Sequence, residues 1–447
     1  MRGIVGKDLT EEIVARWARA FGSWVLERGK GASVVIGRDA RTSGPMFAAA
    51  VTAGLTSVGC DVIDVGLVPT PTVQLAVEHH RAGGGIAITA SHNPIEWNAL
   101  KFIGPDGIFL DGAAGARVGQ LAAQLPGSGK REPGSVTADP DAVERHLAAV
   151  LRIPGVDVGR IRARNLTIAL DAVRGAGGPV MRTLLERLGC QVEGINLEPD
   201  GRFPRPPEPV PENLGDLCAL VRRSGAALGI AVDPDVDRLA IVDEDGVPIG
   251  EDYTLAFAVR AVLGTGDGGR KAGTPVVVCN LSTSLVVEDA ARDCGAEVVR
   301  TPVGEAHVAR KIRELKAPIG GEGNGGVMYP ALHAGRDAPV AAALLLALLA
   351  REGRAVSALV AGAPRYVIVK AKVPRGAALE PVYAALRRRF TDARVDTQDG
   401  LHLAWPDRWL HVRPSNTEPV IRLIAEAKSR AAAEALVEEG RRLCAAS

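Results

Sequence analysis

The residues of this chain best able to do chemistry lie in four short loops. Thr89-Ala90-Ser91-His92-Asn93-Pro94 offers a hydroxyl nucleophile, Ser91, with an imidazole beside it and a proline turn behind it. The Gly-x-Ser-x-Gly elbow of serine hydrolases is missing around Ser91, which points away from acyl transfer. Asp233-Pro234-Asp235-Val236-Asp237-Arg238 sets carboxylates at alternate positions of one tight loop. Like charges that close need a cation, and an oxygen-only ligand set selects a hard one, Mg²⁺ ahead of Ca²⁺. Glu244 lies where a calcium EF-hand would place its bidentate glutamate, but that reading fails: the sixth loop position is Arg238 instead of glycine, and strands are expected on either side. Gly320-Gly321-Glu322-Gly323-Asn324-Gly325-Gly326 lets backbone approach a ligand, with Glu322 and Asn324 as an acceptor and a mixed donor for hydroxyls. Arg413-Pro414-Ser415-Asn416-Thr417-Glu418-Pro419, with Arg422 beyond, gathers guanidiniums, hydroxyls, an amide and backbone N–H groups into a phosphate clamp. Each loop alone has a plainer reading as a turn serine, a solvated acidic hairpin, a flexible turn or a polar hairpin. Their joint occurrence in one chain is what carries the chemical reading.

Regular elements must position these loops. Ser91 follows the apolar run Gly85-Ile86-Ala87-Ile88, a buried strand, and so sits at a strand's C-terminal end, the edge where α/β sheets bind ligands. Strands Ala227 to Val232 and Leu239 to Val242 are expected to enter and leave the aspartate loop. Three segments repeat one plan, beginning at Ser33-Val34-Val35-Ile36, Leu166-Thr167-Ile168-Ala169-Leu170 and Val276-Val277-Val278. Each continues into a polar or glycine-rich loop, an amphipathic helix and a Gly-(Cys/Ala)-x-Val turn into another strand. This predicts α/β architecture: three related mixed-sheet α/β domains, followed after Arg365 by a C-terminal α+β domain of short strands. The expected units are residues 1–153, carrying the serine; 154–253, carrying the metal loop; 254–364, carrying the hydroxyl-reading loop; and 365–447, carrying the phosphate clamp.

Composition narrows the setting. A net charge of +1 over 447 residues makes no electrostatic case for nucleic acid or an anionic membrane, so an anion site must be local. The six cysteines are dispersed without a Cys-x-x-Cys pair and read as buried thiols in a reducing compartment. The longest apolar run, Val340 to Ala350, is shorter than the roughly 20 residues of a membrane span and predicts a core helix. No signal peptide precedes Met1-Arg2-Gly3. The expectation is a cytoplasmic enzyme acting on a small molecule, monomer or homodimer, with no nucleic-acid or membrane partner.

Thr-Ala-Ser-His-Asn-Pro, Asp-x-Asp-x-Asp-Arg and Arg-Pro-Ser-x-Thr-Glu-Pro, in that order and in separate units, resemble the signatures of the α-D-phosphohexomutases, the family of phosphoglucomutases, phosphomannomutases and phosphoglucosamine mutases. The likeness covers nearly the full chain, and Glu96-Trp97-Asn98-Ala99-Leu100-Lys101-Phe102, Asn324 and Asn416 resemble its archaeal-type branch. The resemblance implies four domains around a central cleft, a phosphoserine at Ser91, and a phosphosugar as the small-molecule partner. It implies Mg²⁺ on Ser91, Asp233, Asp235 and Asp237, a hexose 1,6-bisphosphate as activator, and phosphoryl transfer between the 1- and 6-positions of a hexose. Lys101 and His92 match positions near the phosphoserine, and Arg2-Gly3 matches the end of an N-terminal signature; Arg2, Ser91, His92 and Lys101 are the implied catalytic set. Arg238, Glu322, Asn324, Arg413, Ser415, Asn416, Thr417 and Arg422 are the implied substrate contacts. Phosphoglucosamine mutase is the first expectation for activity and dual-specificity phosphoglucomutase/phosphomannomutase the second; a sugar-phosphate binding protein without turnover is a remote third. Two departures stand out. The residues that normally precede Arg-Gly are absent, so either the start is placed late or the first strand is short. The sugar loop ends Asn324-Gly325-Gly326 where many members have Ser-Gly-His, which removes a histidine acid/base and leaves Lys101 as the first candidate for proton transfer.

Overall fold

The computed structural model describes residues 1–29, 31–124, 132–264, 273–374, 379–415 and 420–445. The first sheet has strands β1 (Arg2–Ile4), β2 (Ser33–Arg38), β3 (Asp61–Leu67), β4 (Gly84–Ile88), β5 (Trp97–Ile103) and β6 (Val136–Ala138), ordered β1-β5-β4-β2-β3-β6. Strand β4 is buried at every residue, which is why it reads as a continuous apolar run without alternation. It pairs antiparallel with β5 in the register Ile88↔Leu100 and Ala87↔Lys101, so the serine loop closes a hairpin at the end of an interior strand with Lys101 alongside. The short β1 pairs with β5, Arg2 opposite Ala99.

The second sheet has β7 (Thr167–Asp171), β8 (Gln191–Ile195), β9 (Leu228–Val232) and β10 (Leu239–Val242), ordered β10-β9-β7-β8. The third has β11 (Val276–Asn280), β12 (Glu297–Thr301), β13 (Ile319–Glu322) and β14 (Gly326–Met328), ordered β12-β11-β13-β14. Each repeats the arrangement β5-β4-β2-β3 of the first sheet, parallel strands finished by one antiparallel strand. The aspartate loop turns from β9 into β10 between the paired residues Val232 and Leu239, and the sugar loop turns from β13 into β14 between Glu322 and Gly326. All three chemical loops thus occupy one topological position, the turn from the last parallel strand into its antiparallel neighbour. The fourth sheet is antiparallel: β15 (Val367–Pro374), β16 (Arg394–Asp396), β17 (Leu401–Trp405), β18 (Arg408–Pro414) and β19 (Val420–Ala427), ordered β15-β19-β18-β17-β16. The architecture is that expected from the sequence, three α/β domains and an α+β tail.

One apolar core runs from the second sheet into the third. The helix Ala338–Glu352 lies in it, buried from Ala338 to Ala350, capped by Asp337, which accepts from Val340 N, and ended by Gly353 at φ 69°. The tail has its own core, including Val382, Leu403, Leu410, Leu423 and Leu436. It meets the third domain through polar contacts: Glu426 accepts from Leu285 N (2.8 Å) and the Ser284 hydroxyl, and Tyr366 donates to Asp289 (2.8 Å), while within the tail Trp409 Nε1 also donates to Glu426 (2.6 Å). No described helix is long and apolar enough to cross a membrane.

Candidate active site

Ser91 is buried and adopts φ 51°, a left-handed conformation unusual for a residue with a side chain. Arg41 holds the backbone in it. This fully buried guanidinium donates to the carbonyls of Ser91 (2.6 Å), Asn93 (2.6 Å), Pro94 (2.6 Å) and Trp97 (2.9 Å). Its Nε pairs with Asp39 (3.1 Å), which also accepts from Thr89 Oγ1 (2.6 Å). Arg2, on β1, donates to Asn93 Oδ1 at 2.7 Å, tying the first strand to the same loop.

Ser91 Oγ donates to Asp233 Oδ2 at 2.9 Å across the junction of the first and second domains. The aspartate loop reaches that position because residue 175 is glycine: a Cβ there would lie 2.5 Å from Pro234 Cα, and Ala176 N donates to Pro234 O at 2.9 Å. Asp233, Asp235 and Asp237 are all buried, with one carboxylate oxygen of each within 4.8 Å of the others. Burial first, then the charges of Asp237 and Asp235, push Asp233 well above the usual carboxylate range. Asp235 lies below that range although burial opposes it, because Lys101 Nζ sits 2.6 Å from its Oδ2 and Thr70 Oγ1 donates to the same oxygen at 2.7 Å. Burial likewise opposes the Lys101 charge, but Asp235 and Asp237 outweigh it and keep this lysine an ammonium. Asp235 Oδ1 and Asp237 Oδ1 are buried with no hydrogen-bond partner among the described residues. Clustered carboxylates with oxygens left over fit a hard divalent cation, which compensates their charge where hydrogen bonds do not. Glu244 has no part in this site; it accepts from Ser357 N at 3.2 Å.

His92 Nδ1 lies 3.4 Å from Ser91 Oγ, and its ring, though 28 % exposed, is crowded by cations. Burial first, then Arg238 and Arg2, lower its pKa to about 2, so the imidazole is neutral. Arg238 is held between Glu208 (3.3 Å) and Asp237 (3.7 Å). Glu322 is buried; its Oε1 accepts from Asn280 Nδ2 (2.8 Å) and Gly304 N (3.1 Å), and its Oε2 from Arg336 Nη1 (2.8 Å). Asn324 Oδ1 is buried without a hydrogen-bond partner among the described residues.

The clamp stands apart. Arg413 and Arg422 face each other across β18 and β19, and Ser415 is buried at the turn between them. Asn416 and Thr417 lie outside the described residues. Asp399 connects the clamp to the sugar loop: its Oδ2 pairs with Arg413 Nε (2.8 Å) and accepts from Val303 N (3.1 Å), next to the Gly304 that donates to Glu322.

Arg41, Thr70, Glu305 and Arg336 belong to the site although loop chemistry did not single them out. Arg41 carried a signal, the run Arg38-Asp39-Ala40-Arg41 directly after a strand, and Arg336 a weaker one, its place just before the Asp337 helix cap. Thr70 carried none.

Consecutive parts of the chain match the four domain families of phosphoglucomutase/phosphomannomutase: alpha/beta/alpha domain I over residues 1–125, domain II over 144–246, domain III over 250–366, and the C-terminal domain over 368–443. The chain belongs to the phosphoglucomutase/phosphomannomutase family. It is 39 % identical over 98 % of its length to a protein of Methanopyrus kandleri named "Probable phosphoglucosamine mutase", covering 95 % of that protein. It is 38 % identical over 99 % of its length to a phosphoglucomutase/phosphomannomutase of Thermococcus kodakarensis, covering 96 % of it. Among solved structures, a phosphoglucomutase/phosphomannomutase family protein from Burkholderia thailandensis superposes with a TM-score of 0.86 at 32 % identity, over 100 % of this chain and 96 % of that one. Membership of the α-D-phosphohexomutases places the chain among isomerases that move a phosphoryl group on a sugar, and most of its close relatives are archaeal.

Proposed function

We propose that this phosphohexomutase interconverts hexose 6-phosphate and hexose 1-phosphate through a phosphoserine at Ser91, with glucosamine phosphate as its preferred substrate. The observation that carries the mechanism is the 2.9 Å contact of Ser91 Oγ with Asp233, which joins a nucleophile to a buried acidic cluster fit for a cation. In the forward half-reaction the bond between phosphorus and Ser91 Oγ breaks and one forms to a hydroxyl oxygen of the hexose monophosphate. The hydroxyl proton leaves, and the Ser91 oxygen gains one. The resulting 1,6-bisphosphate turns over in the cleft and returns its other phosphoryl group to Ser91, so a hexose 1,6-bisphosphate also loads the resting enzyme. When bound by Asp233, Asp235, Asp237 and Ser91, Mg²⁺ supplies neutralisation of the charge between the serine oxygen and the transferring group.

The chain's own groups do the rest. Lys101 gives the Ser91 oxygen its proton and takes one back from the hexose hydroxyl, so the proton balance closes on that one group, while the neutral His92 ring, 3.4 Å from Ser91 Oγ, serves as a hydrogen-bond acceptor. Arg238 adds positive charge at the mouth of the loop. Arg413, Ser415, Asn416, Thr417 and Arg422 hold the phosphate that is not reacting, so binding energy remote from the transfer orients the sugar. Glu322 and Asn324 read the sugar between them.

The preference for glucosamine rests on the Methanopyrus kandleri relative and on the acidic Glu322, which suits a 2-ammonium group. One observation favours the dual-specificity alternative: Glu322 is already paired with Arg336, and a matched charge discriminates little between amine and hydroxyl. A coupled assay with Mg²⁺ and glucose 1,6-bisphosphate, run on glucosamine 6-phosphate, glucose 1-phosphate and mannose 1-phosphate, decides. More than about tenfold higher kcat/KM for glucosamine, some 1.4 kcal/mol, supports the preference. Comparable rates on glucose and mannose make the enzyme dual-specific, and no turnover of any sugar with Ser91 phosphorylated sinks the reading.

A further inference from the structure

Arg336 divides its nitrogens among three carboxylates from three segments: the aspartate loop, the end of β13 and the start of the helix Glu305–Leu315. Nη2 donates to Asp237 Oδ2 at 2.6 Å, Nη1 to Glu322 Oε2 at 2.8 Å and Nε to Glu305 Oε2 at 3.0 Å, with the side chain 8 % exposed. Glu305 is further fixed by Gln74 Nε2 at 3.2 Å and by Arg336's own backbone N–H at 3.3 Å. A planar guanidinium has fixed donor directions, so partners on three sides leave it one pose.

The space for that pose comes from the sugar loop. A Cβ on residue 326 would stand 2.2 Å from Arg336 Cδ and 2.9 Å from its Cγ. Gly326 is not among the glycines with positive φ, unlike its neighbour Gly325 at 87°, so its backbone would admit any residue. What excludes a side chain at 326 is the stem of Arg336, and that stem cannot swing away because its far end is pinned to three acids. Gly326 and Arg336 are two halves of one arrangement.

We propose that Arg336 is a positioning residue that locks the sugar-reading loop to the metal ligand Asp237, and that the absence of a side chain at Gly326 is what admits it. With Oδ2 of Asp237 engaged by Arg336, and by Lys101 at 3.4 Å, its Oδ1, which has no hydrogen bond among the described residues and only Arg238 Nε at 3.7 Å, is the oxygen a cation would take. With Oε2 of Glu322 engaged by the same guanidinium, the sugar loop is held at a fixed offset from the metal loop. The ligands assigned to the two loops rest on the function proposed above; the coupling between them rests on these contacts.

The test compares the full-length parent with Arg336→Lys, which keeps the charge but cannot reach three acids, and Gly326→Ala, which keeps Arg336 and takes its space. Two binding readouts need no turnover: Mn²⁺ affinity by electron paramagnetic resonance, and glucose 1,6-bisphosphate affinity by calorimetry. The expected result is that both variants fold, and that both affinities weaken together by about tenfold in each. A folded variant with both affinities within about twofold of the parent, or with one weakened and the other not, overturns the coupling. Failure of both variants to fold also overturns it, since Arg336 would then be a folding residue. A parent that binds Mn²⁺ and bisphosphate but turns over no hexose phosphate sinks the mutase reading and leaves this inference standing.

Discussion

The two junctions that flank the third domain are built from opposite materials. Toward the second domain it shares a continuous apolar core through the helix Ala338–Glu352, and that core carries the aspartate loop and the sugar loop on one scaffold. Toward the tail the contacts described are largely polar, centred on Glu426, Tyr366, Asp399 and a buried histidine, His411. Dispersion and hydrophobic burial act among many atoms and resist small displacements, whereas a hydrogen-bonded interface depends on a few partners with definite protonation. On the function proposed above, the aspartate loop and the sugar-reading loop share the apolar scaffold, and the proposed phosphate clamp lies on the side whose attachment is hydrogen-bonded.

The largest break in this contrast falls on the reacting centre. Ser91→Ala should lower kcat by roughly four orders of magnitude or more in the bisphosphate-activated assay, with only a small fall in the thermal melt, since the hydroxyl's contacts to Asp233 and His92 are all that is lost. Near-normal rates would remove Ser91 as the phosphoryl carrier. Next is Arg41→Ala, which strips donors from the carbonyls of Ser91, Asn93, Pro94 and Trp97 and leaves Asp39 buried without its cation. Urea denaturation should show a loss of about 3–5 kcal/mol; a change near zero would mean that the left-handed turn at Ser91 holds itself.

On the tail side the effects are smaller and of another kind. Arg413→Ala should raise KM for the hexose phosphate by roughly tenfold to a hundredfold, the worth of one charge-assisted contact, with a lesser change in kcat. Unaltered kinetics would take Arg413 out of the clamp. The smallest effect is a pH dependence. His411 Nε2 donates to the Asp399 carbonyl (2.7 Å), so Nδ1 accepts from Ser282 Oγ (2.9 Å) and the ring is neutral. Burial lowers its pKa from 6.5 to about 4. The unfolded chain then binds one more proton than the folded chain between those values, so stability is complete above about pH 6.5 and falls as the pH drops toward 4. The loss expected from this ring at pH 5 is about 2 kcal/mol, and His411→Gln should remove that share of the pH dependence while leaving the share of other rings held neutral, such as His92. Urea midpoints for parent and variant that track each other from pH 7 to pH 5 would show that this ring does not govern the tail junction.

The sequence by itself determined whatever depends on neighbours along the chain. Strands such as β4 and β9 are legible because apolar runs of that length, bounded by turn residues, have few other places to go, and the helix 338–352 was visible in its Val340 to Ala350 segment. The chemical types of the four loops were equally plain, as was the threefold strand-loop-helix plan, but that three of the loops share one position at the turn into the antiparallel strand was shown by the sheets. The tertiary structure decided which groups meet. Ser91 and Asp233 are 142 residues apart and Arg336 and Asp237 are 99 apart; spacing along the chain carries no distance information at that range. Thr70 looks like an ordinary residue until its partner Asp235 arrives from another segment, and the run around Arg41 does not say which carbonyls it will hold. Gly326 shows the division most sharply. The sequence records that a side chain is missing there, but the reason is the volume of an arginine ten residues further on, which only folding brings to that spot.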